Sequence, residues 1–249
     1  MTRPFMTDPV ADRYARTEPL FPDWAAPIYL WVSVAASVIY LGLDLTTYSM
    51  PGLALTKALG IILLGVFALL KRAPVLALAL MLSAGGDYAL AMSPPQLEAG
   101  IGFFGAAHLT YIAIFALMVV SGGLKREGLV LAGGLFVFGV AMWLWLSPGM
   151  GALTVPVSLY LGIILVMAMA AGLVKGPNLI IIGALLFVVS DSVIAMRWFG
   201  DVLVFEDSLD WGGVIVWVTY YAAQLCLTLG VLRARAEAKA QTVDTEVSA

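Results

Sequence analysis

At 249 residues, 62% hydrophobic and only 12% charged, with a mean hydropathy of +0.99, the chain lies far from soluble usage, where about a quarter of residues are charged. That excludes disorder and a soluble enzyme domain. A net charge of −3 argues against nucleic acid as a partner, and the single cysteine, Cys226, excludes an internal disulfide. The composition implies an all-α polytopic membrane protein, because backbone polar groups in lipid must be satisfied within helices or a closed barrel. The apolar runs here are too long for barrel strands.

Residues 1–25 mix acidic and basic side chains with prolines and hold no apolar run long enough for a signal peptide. They are expected to form a polar cytoplasmic tail. Apolar stretches follow at about 26–43, 53–70, 74–92, 100–121, 128–146, 153–174, 178–199 and 212–232, predicting an eight-helix transmembrane bundle over 26–232. A second polar cytoplasmic tail is expected over 233–249.

Basic residues orient the spans. If the amino terminus is cytoplasmic, that side receives Arg3, Arg13, Arg16, Lys71, Arg72, Lys125, Arg126, Lys175, Arg233, Arg235 and Lys239. Only Arg197 then falls in an outer loop, and Lys57 lies inside the second run near its outer end. The outer connections carry Asp44, Glu98, Asp201, Glu206, Asp207 and Asp210. Trp143, Trp145, Trp198, Trp211 and Trp217 cluster toward the same boundary, where indoles favour the interface. A bacterial inner membrane with both termini cytoplasmic is the expected location. The halves also share short segments: Leu59–Leu63 recurs as Leu161–Leu165, and Asp87–Met92 parallels Asp191–Met196. This suggests two four-helix repeats of the same orientation.

Ionisable side chains at membrane depth cost about 2.5–3.5 kcal/mol on insertion scales and mark sites. They are Asp87, His108, Asp191 and, nearer the edge, Lys57, accompanied by Tyr111, Tyr160, Tyr220, Tyr221, Gln224, Ser83, Ser190 and Ser192. Counted from the span ends at about 1.5 Å per residue, Asp87, His108, Tyr160, Asp191 and Tyr220 fall in one plane of the outer half. Gly85, Gly86, Gly102 and Gly105 are expected to admit close helix approach there. The expected product is a narrow polar pocket open to the outside. Two carboxylates sharing a low-dielectric site resist joint ionisation, so Asp87 and Asp191 are expected to hold one proton between them. One histidine rules out a two-His metal site, and the nucleophile-elbow and zincin motifs are missing. No metal or cofactor is expected. An acid/base hydrolase fits these residues, and so does a proton-coupled small-molecule or lipid transporter using the same Asp pair as a relay.

The segments Ser83-Ala84-Gly85-Gly86-Asp87, Gly105 through Tyr111, Phe187 through Ser192 and Thr219 through Gln224 resemble the signature segments of the YhhN-type lysoplasmalogenase family. Thr56-Lys57 and Pro156 through Tyr160 resemble further family positions. Ala58 stands where the family pattern has Pro. The resemblance implies an eight-helix membrane hydrolase that cleaves the vinyl-ether bond of lysoplasmalogen, a lysophospholipid, to a fatty aldehyde and glycerophosphoethanolamine or glycerophosphocholine. On that reading Asp87 and Asp191 divide the acid and base roles, and His108 orients water or relays a proton. Tyr111, Tyr220 and Gln224 bond the glycerol or water, and Lys57 meets the phosphate. Tyr160, Tyr221 and Ser190 complete the expected substrate-binding set.

Overall fold

A computed structural model describes residues 24–45, 52–204 and 209–247. The predicted amino-terminal tail up to residue 23 and the outer-loop charges Glu206 and Asp207 lie outside the described residues. Within them the chain forms α1 (Ala25–Leu45), α2 (Leu53–Leu70), α3 (Pro74–Leu90), α4 (Leu97–Gly122), α5 (Gly128–Leu146), α6 (Thr154–Leu173), α7 (Leu179–Phe199) and α8 (Trp211–Val247). Two short 3₁₀ turns, Ser147–Gly149 and Gly151–Leu153, join α5 to α6. Seven helices are long and apolar enough to cross a membrane, while α3 is an apolar helix of 17 residues. The protein is therefore a multi-pass membrane protein. Large apolar side chains such as Val120 and Val130 point outward, over four-fifths exposed, as a lipid-facing surface requires.

Local chemistry sets the helix ends. Pro74 occupies the first turn of α3, where its missing N–H removes no helical bond. Gly123, at φ +81°, ends α4 in a conformation open to glycine. Helix α2 passes through Ala58 without interruption, so the departure from the family pattern leaves a regular first turn. The eighth helix does not stop with the apolar run. It continues through the expected polar tail to Val247, supported on one face by an Arg233–Glu237 pair at 2.8 Å.

Seven helices form a ring in the order α1, α2, α3, α4, α6, α7, α8, which closes on α1 and α2; α5 packs outside it against α6 and α7. Membrane helices associate through small residues and interhelical hydrogen bonds, since lipid tails are as apolar as leucine. Both devices are present. Gly183 of α7 rests on the α8 backbone, where an added Cβ would meet Ala223 O and Leu227 N at 2.9 Å. The Ser33 hydroxyl donates to Gly60 O at 2.6 Å, joining α1 to α2, and the Trp217 indole N–H donates to Ser37 O at 3.0 Å, joining α8 to α1. Trp217 is thus a core residue, 3% exposed, and not the interfacial indole its position near a span end suggests.

On the predicted inner side the α4–α5 and α6–α7 links are paired, with Lys125 N–H donating to Leu173 O at 2.9 Å. On the outer side Arg197 at the end of α7 pairs with Asp210 at 2.8 Å, and Asp210 also accepts the Gly213 N–H. Burial pushes the Asp210 carboxyl up, but the Arg197 and backbone hydrogen bonds outweigh it and hold the group below its ordinary value. The segments that suggest a repeat are not matched in their contacts: Asp87 is bonded from α8, whereas Asp191 is bonded from α6.

Candidate functional site

Asp87, Asp191 and His108 fall in two hydrogen-bonded groups. In the first, the Tyr220 hydroxyl of α8 donates to Asp87 Oδ2 of α3 at 2.7 Å. The Tyr111 hydroxyl of α4 donates to Gln224 Oε1 at 2.7 Å, and Gln224 Nε2 reaches the Tyr220 oxygen at 3.4 Å. The four-residue spacing of Tyr220 and Gln224 places both on one face of α8, as their sequence separation predicts. All four side chains are buried. In the second group the Tyr160 hydroxyl of α6 donates to Asp191 Oδ2 of α7, and His108 Nε2 of α4 lies 3.0 Å from the same hydroxyl. His108 Nε2 is 3.8 Å from Asp191 Oδ2, and its other ring nitrogen, Nδ1, is buried without a hydrogen-bond partner among the described residues.

Each carboxyl therefore has its own tyrosine. The expected single polar pocket is instead two hydrogen-bonded groups, with aromatic rings packed against both. Phe187 packs edge-on to His108, with centroids 4.5 Å apart, and to Tyr220 at 5.3 Å, while Phe104 packs edge-on to Tyr220 at 5.7 Å and Phe187 at 6.3 Å. The opening is also different in kind from the narrow polar mouth expected. It is a small apolar cleft among α4, α5, α6 and α7, lined by side chains such as Ile101, Phe104, Met142, Leu146, Leu165 and Val188. Asp191, Tyr160 and Ser192 are its polar residues. The lining suits the apolar part of an organic ligand.

The other expected site residues are placed as follows. Lys57 does not extend freely to the interface; its Nζ stands 5.9 Å from the ring centroids of both Tyr40 and Trp217, a cation–π arrangement. Tyr221 turns away from the two groups to the Ser33 hydroxyl at 2.8 Å, and the Ser190 hydroxyl donates to Val216 O at 3.1 Å. Those two residues bond neighbouring helices and not the aspartates. Gly85 and Gly86 do admit close packing, by Phe103 and Phe104 respectively, whereas a Cβ at Gly102 would meet nothing within 4 Å.

The YhhN family pattern matches residues 53–231, which takes in every helix that contributes to the two groups. The chain belongs to the YhhN family. This YhhN protein is 36% identical over 155 residues to the human protein named Lysoplasmalogenase TMEM86B, a match covering 62% of each chain. It is 28% identical over 216 residues to a Mycobacterium bovis protein named Lysoplasmalogenase, covering 83% of this chain and 80% of that one. The match to the human relative thus spans less than two thirds of that protein's length. No solved structure matches the chain.

Phe104, Phe187 and the α5 side chains Met142 and Leu146 were not expected at the site of this YhhN protein. Aromatic and aliphatic residues are background in any span, so composition does not single them out. The readable signal was spacing: Phe104 is one helical turn from His108 on α4. Loss of a buried donor also gives a direct test of the first group. Tyr220→Phe strands the Asp87 carboxyl in the bundle and is expected to lower stability by about 1–3 kcal/mol, read as a fall in the thermal midpoint in detergent.

Proposed function

We propose that this protein is a membrane-embedded hydrolase that cleaves the vinyl-ether bond of lysoplasmalogen, releasing a fatty aldehyde and glycerophosphoethanolamine or glycerophosphocholine. The observation that carries the reading is the apolar cleft whose wall bears Asp191 and Tyr160. The apolar lining of the cleft matches the hydrocarbon chain of a lysolipid in chemistry. Family membership and the names of the relatives support the same activity.

The chemistry needs an acid and a base at one bond. Asp191, facing the cleft, gives its proton to the alkene carbon remote from the ether oxygen; the π electrons form the new C–H bond and leave an oxocarbenium ion. Water adds to the oxygen-bearing carbon and passes a proton to a carboxylate. The resulting hemiacetal breaks its bond to the glycerol oxygen, which takes a proton as the aldehyde forms. Asp87 is the second carboxyl, stabilising the cation and accepting the proton of water. Tyr160 holds Asp191 and links it to His108, which relays protons through the tyrosine hydroxyl. Tyr111, Tyr220 and Gln224 bond water or the glycerol, and Lys57 meets the phosphate. The protein acts in a bacterial inner membrane with both termini cytoplasmic, as the distribution of its basic residues supports.

Purified protein in detergent is expected to release aldehyde from lysoplasmalogen and none from the corresponding alkyl-ether lysolipid, which has no alkene to protonate. An aldehyde-reactive fluorophore checks both. A chain that releases nothing in detergent but moves protons or lipid across sealed vesicles would instead be a transporter.

A further inference from the structure

The proposed reaction needs both carboxyls at one bond, yet only Asp191 borders the cleft. Asp87 sits behind Phe104, whose ring lines the cleft on one side and packs edge-on to Tyr220, the donor to Asp87, on the other. We infer that Phe104 is a movable partition, a positioning residue whose rotation into the cleft opens the way from Asp191 to Asp87 and lets both reach the same bound lipid. The inference rests on the hydrolase reading for its purpose, but not for its geometry.

Of the two rings, Phe104 alone borders the cleft. Phe187 is fully buried and ringed by His108, Tyr220 and Phe104. Phe104 is 8% exposed and borders the open volume of the cleft. Its bed is also unusual. The ring lies against Gly86, where an added Cβ would stand only 2.5–3.0 Å from its Cε2, Cδ2 and Cγ atoms. Only glycine leaves space for the ring there, and Gly86 immediately precedes Asp87. A ring that swings off Gly86 therefore vacates a phenyl-sized space beside Asp87 and continuous with the cleft. The Gly85-Gly86-Asp87 segment gains a specific purpose: one glycine seats Phe103 on the lipid side, and the next seats the partition.

Dicyclohexylcarbodiimide, an apolar reagent for membrane-buried carboxyls, tests this on the full-length protein in detergent, with modified peptides read by mass spectrometry. In the unaltered chain Asp191 is expected to be modified first. Minor conformers are commonly populated at about 0.1–10%, so Asp87 should react about 10- to 1000-fold more slowly than in a chain whose partition is gone. Phe104→Ala is expected to bring Asp87 to a rate near that of Asp191, and Phe104→Leu, which keeps more of the packing volume, to an intermediate rate. Phe104→Trp, with a ring too large to turn in the same space, should keep Asp87 protected and lower kcat while KM is retained. The inference is overturned if Asp87 reacts as fast as Asp191 in the unaltered chain, or stays protected in both the Ala and Leu variants. Labelling needs no turnover, so the expected pattern in a chain that releases no aldehyde would remove the hydrolase reading and leave the partition standing.

Discussion

Asp191→Asn is expected to lower aldehyde release by about 10²- to 10⁴-fold, the usual contribution of a positioned acid or base, while the protein stays folded. The substitution keeps the shape of the side chain, and an amide oxygen still accepts the Tyr160 hydrogen bond. It removes only the transferable proton. Initial rates with an aldehyde-reactive fluorophore, beside size-exclusion profiles and thermal midpoints, separate lost chemistry from lost structure. Wild-type rates in this variant would end the assignment of Asp191 as the donor. Tyr160→Phe is the companion measurement. It leaves Asp191 in place but cuts its connection to His108, and a smaller fall in kcat is expected, with a changed dependence on pH.

A large effect on stability is expected at the seam between α7 and α8. In Gly183→Ala the new methyl would sit 2.9 Å from Ala223 O, Leu227 N and Leu227 Cγ, two of them backbone atoms that cannot turn aside. The helices must separate, at a cost of about 1–3 kcal/mol from overpacking. Gly183→Leu is expected to prevent assembly of the bundle. Gly162→Ala is the control, because a Cβ there meets nothing within 4 Å and alanine favours a helix by about 1 kcal/mol over glycine. Thermal midpoints in detergent should fall for Gly183→Ala and hold or rise for Gly162→Ala. Because α7 carries Asp191, the first variant should also lose activity beyond what its unfolded fraction explains.

Most of the spans were legible because lipid solvates a helix uniformly: a run of apolar residues of the right length has one structural solution. Asp87, His108 and Asp191 were legible for the converse reason, since a charge at that depth requires a partner. Depth could be counted along each helix, and the hydrogen bonds Tyr220–Asp87 and Tyr160–Asp191 join residues whose counted depths agree. Rotation about the helix axis could not be counted. When every face is apolar, no periodicity tells which one meets a neighbour, so one polar pocket was expected where Phe104 and Phe187 divide two groups. The same gap concealed the place of α5 outside the ring and the burial of Trp217, whose indole N–H finds Ser37 O on α1. Helix α8 outruns its apolar segment because its continuation is held by charge spacing and not by hydrophobicity, a pattern that a search for spans overlooks.

Helix α3, the one that carries Asp87, has 17 residues and measures about 25 Å at 1.5 Å per residue. The hydrocarbon layer of a bilayer is about 30 Å thick. A bilayer meets such a mismatch by thinning locally, so lipid head groups around this edge of the bundle should dip toward the midplane. The substrate proposed above would then reach its cleavage depth without its polar end leaving the wet interface.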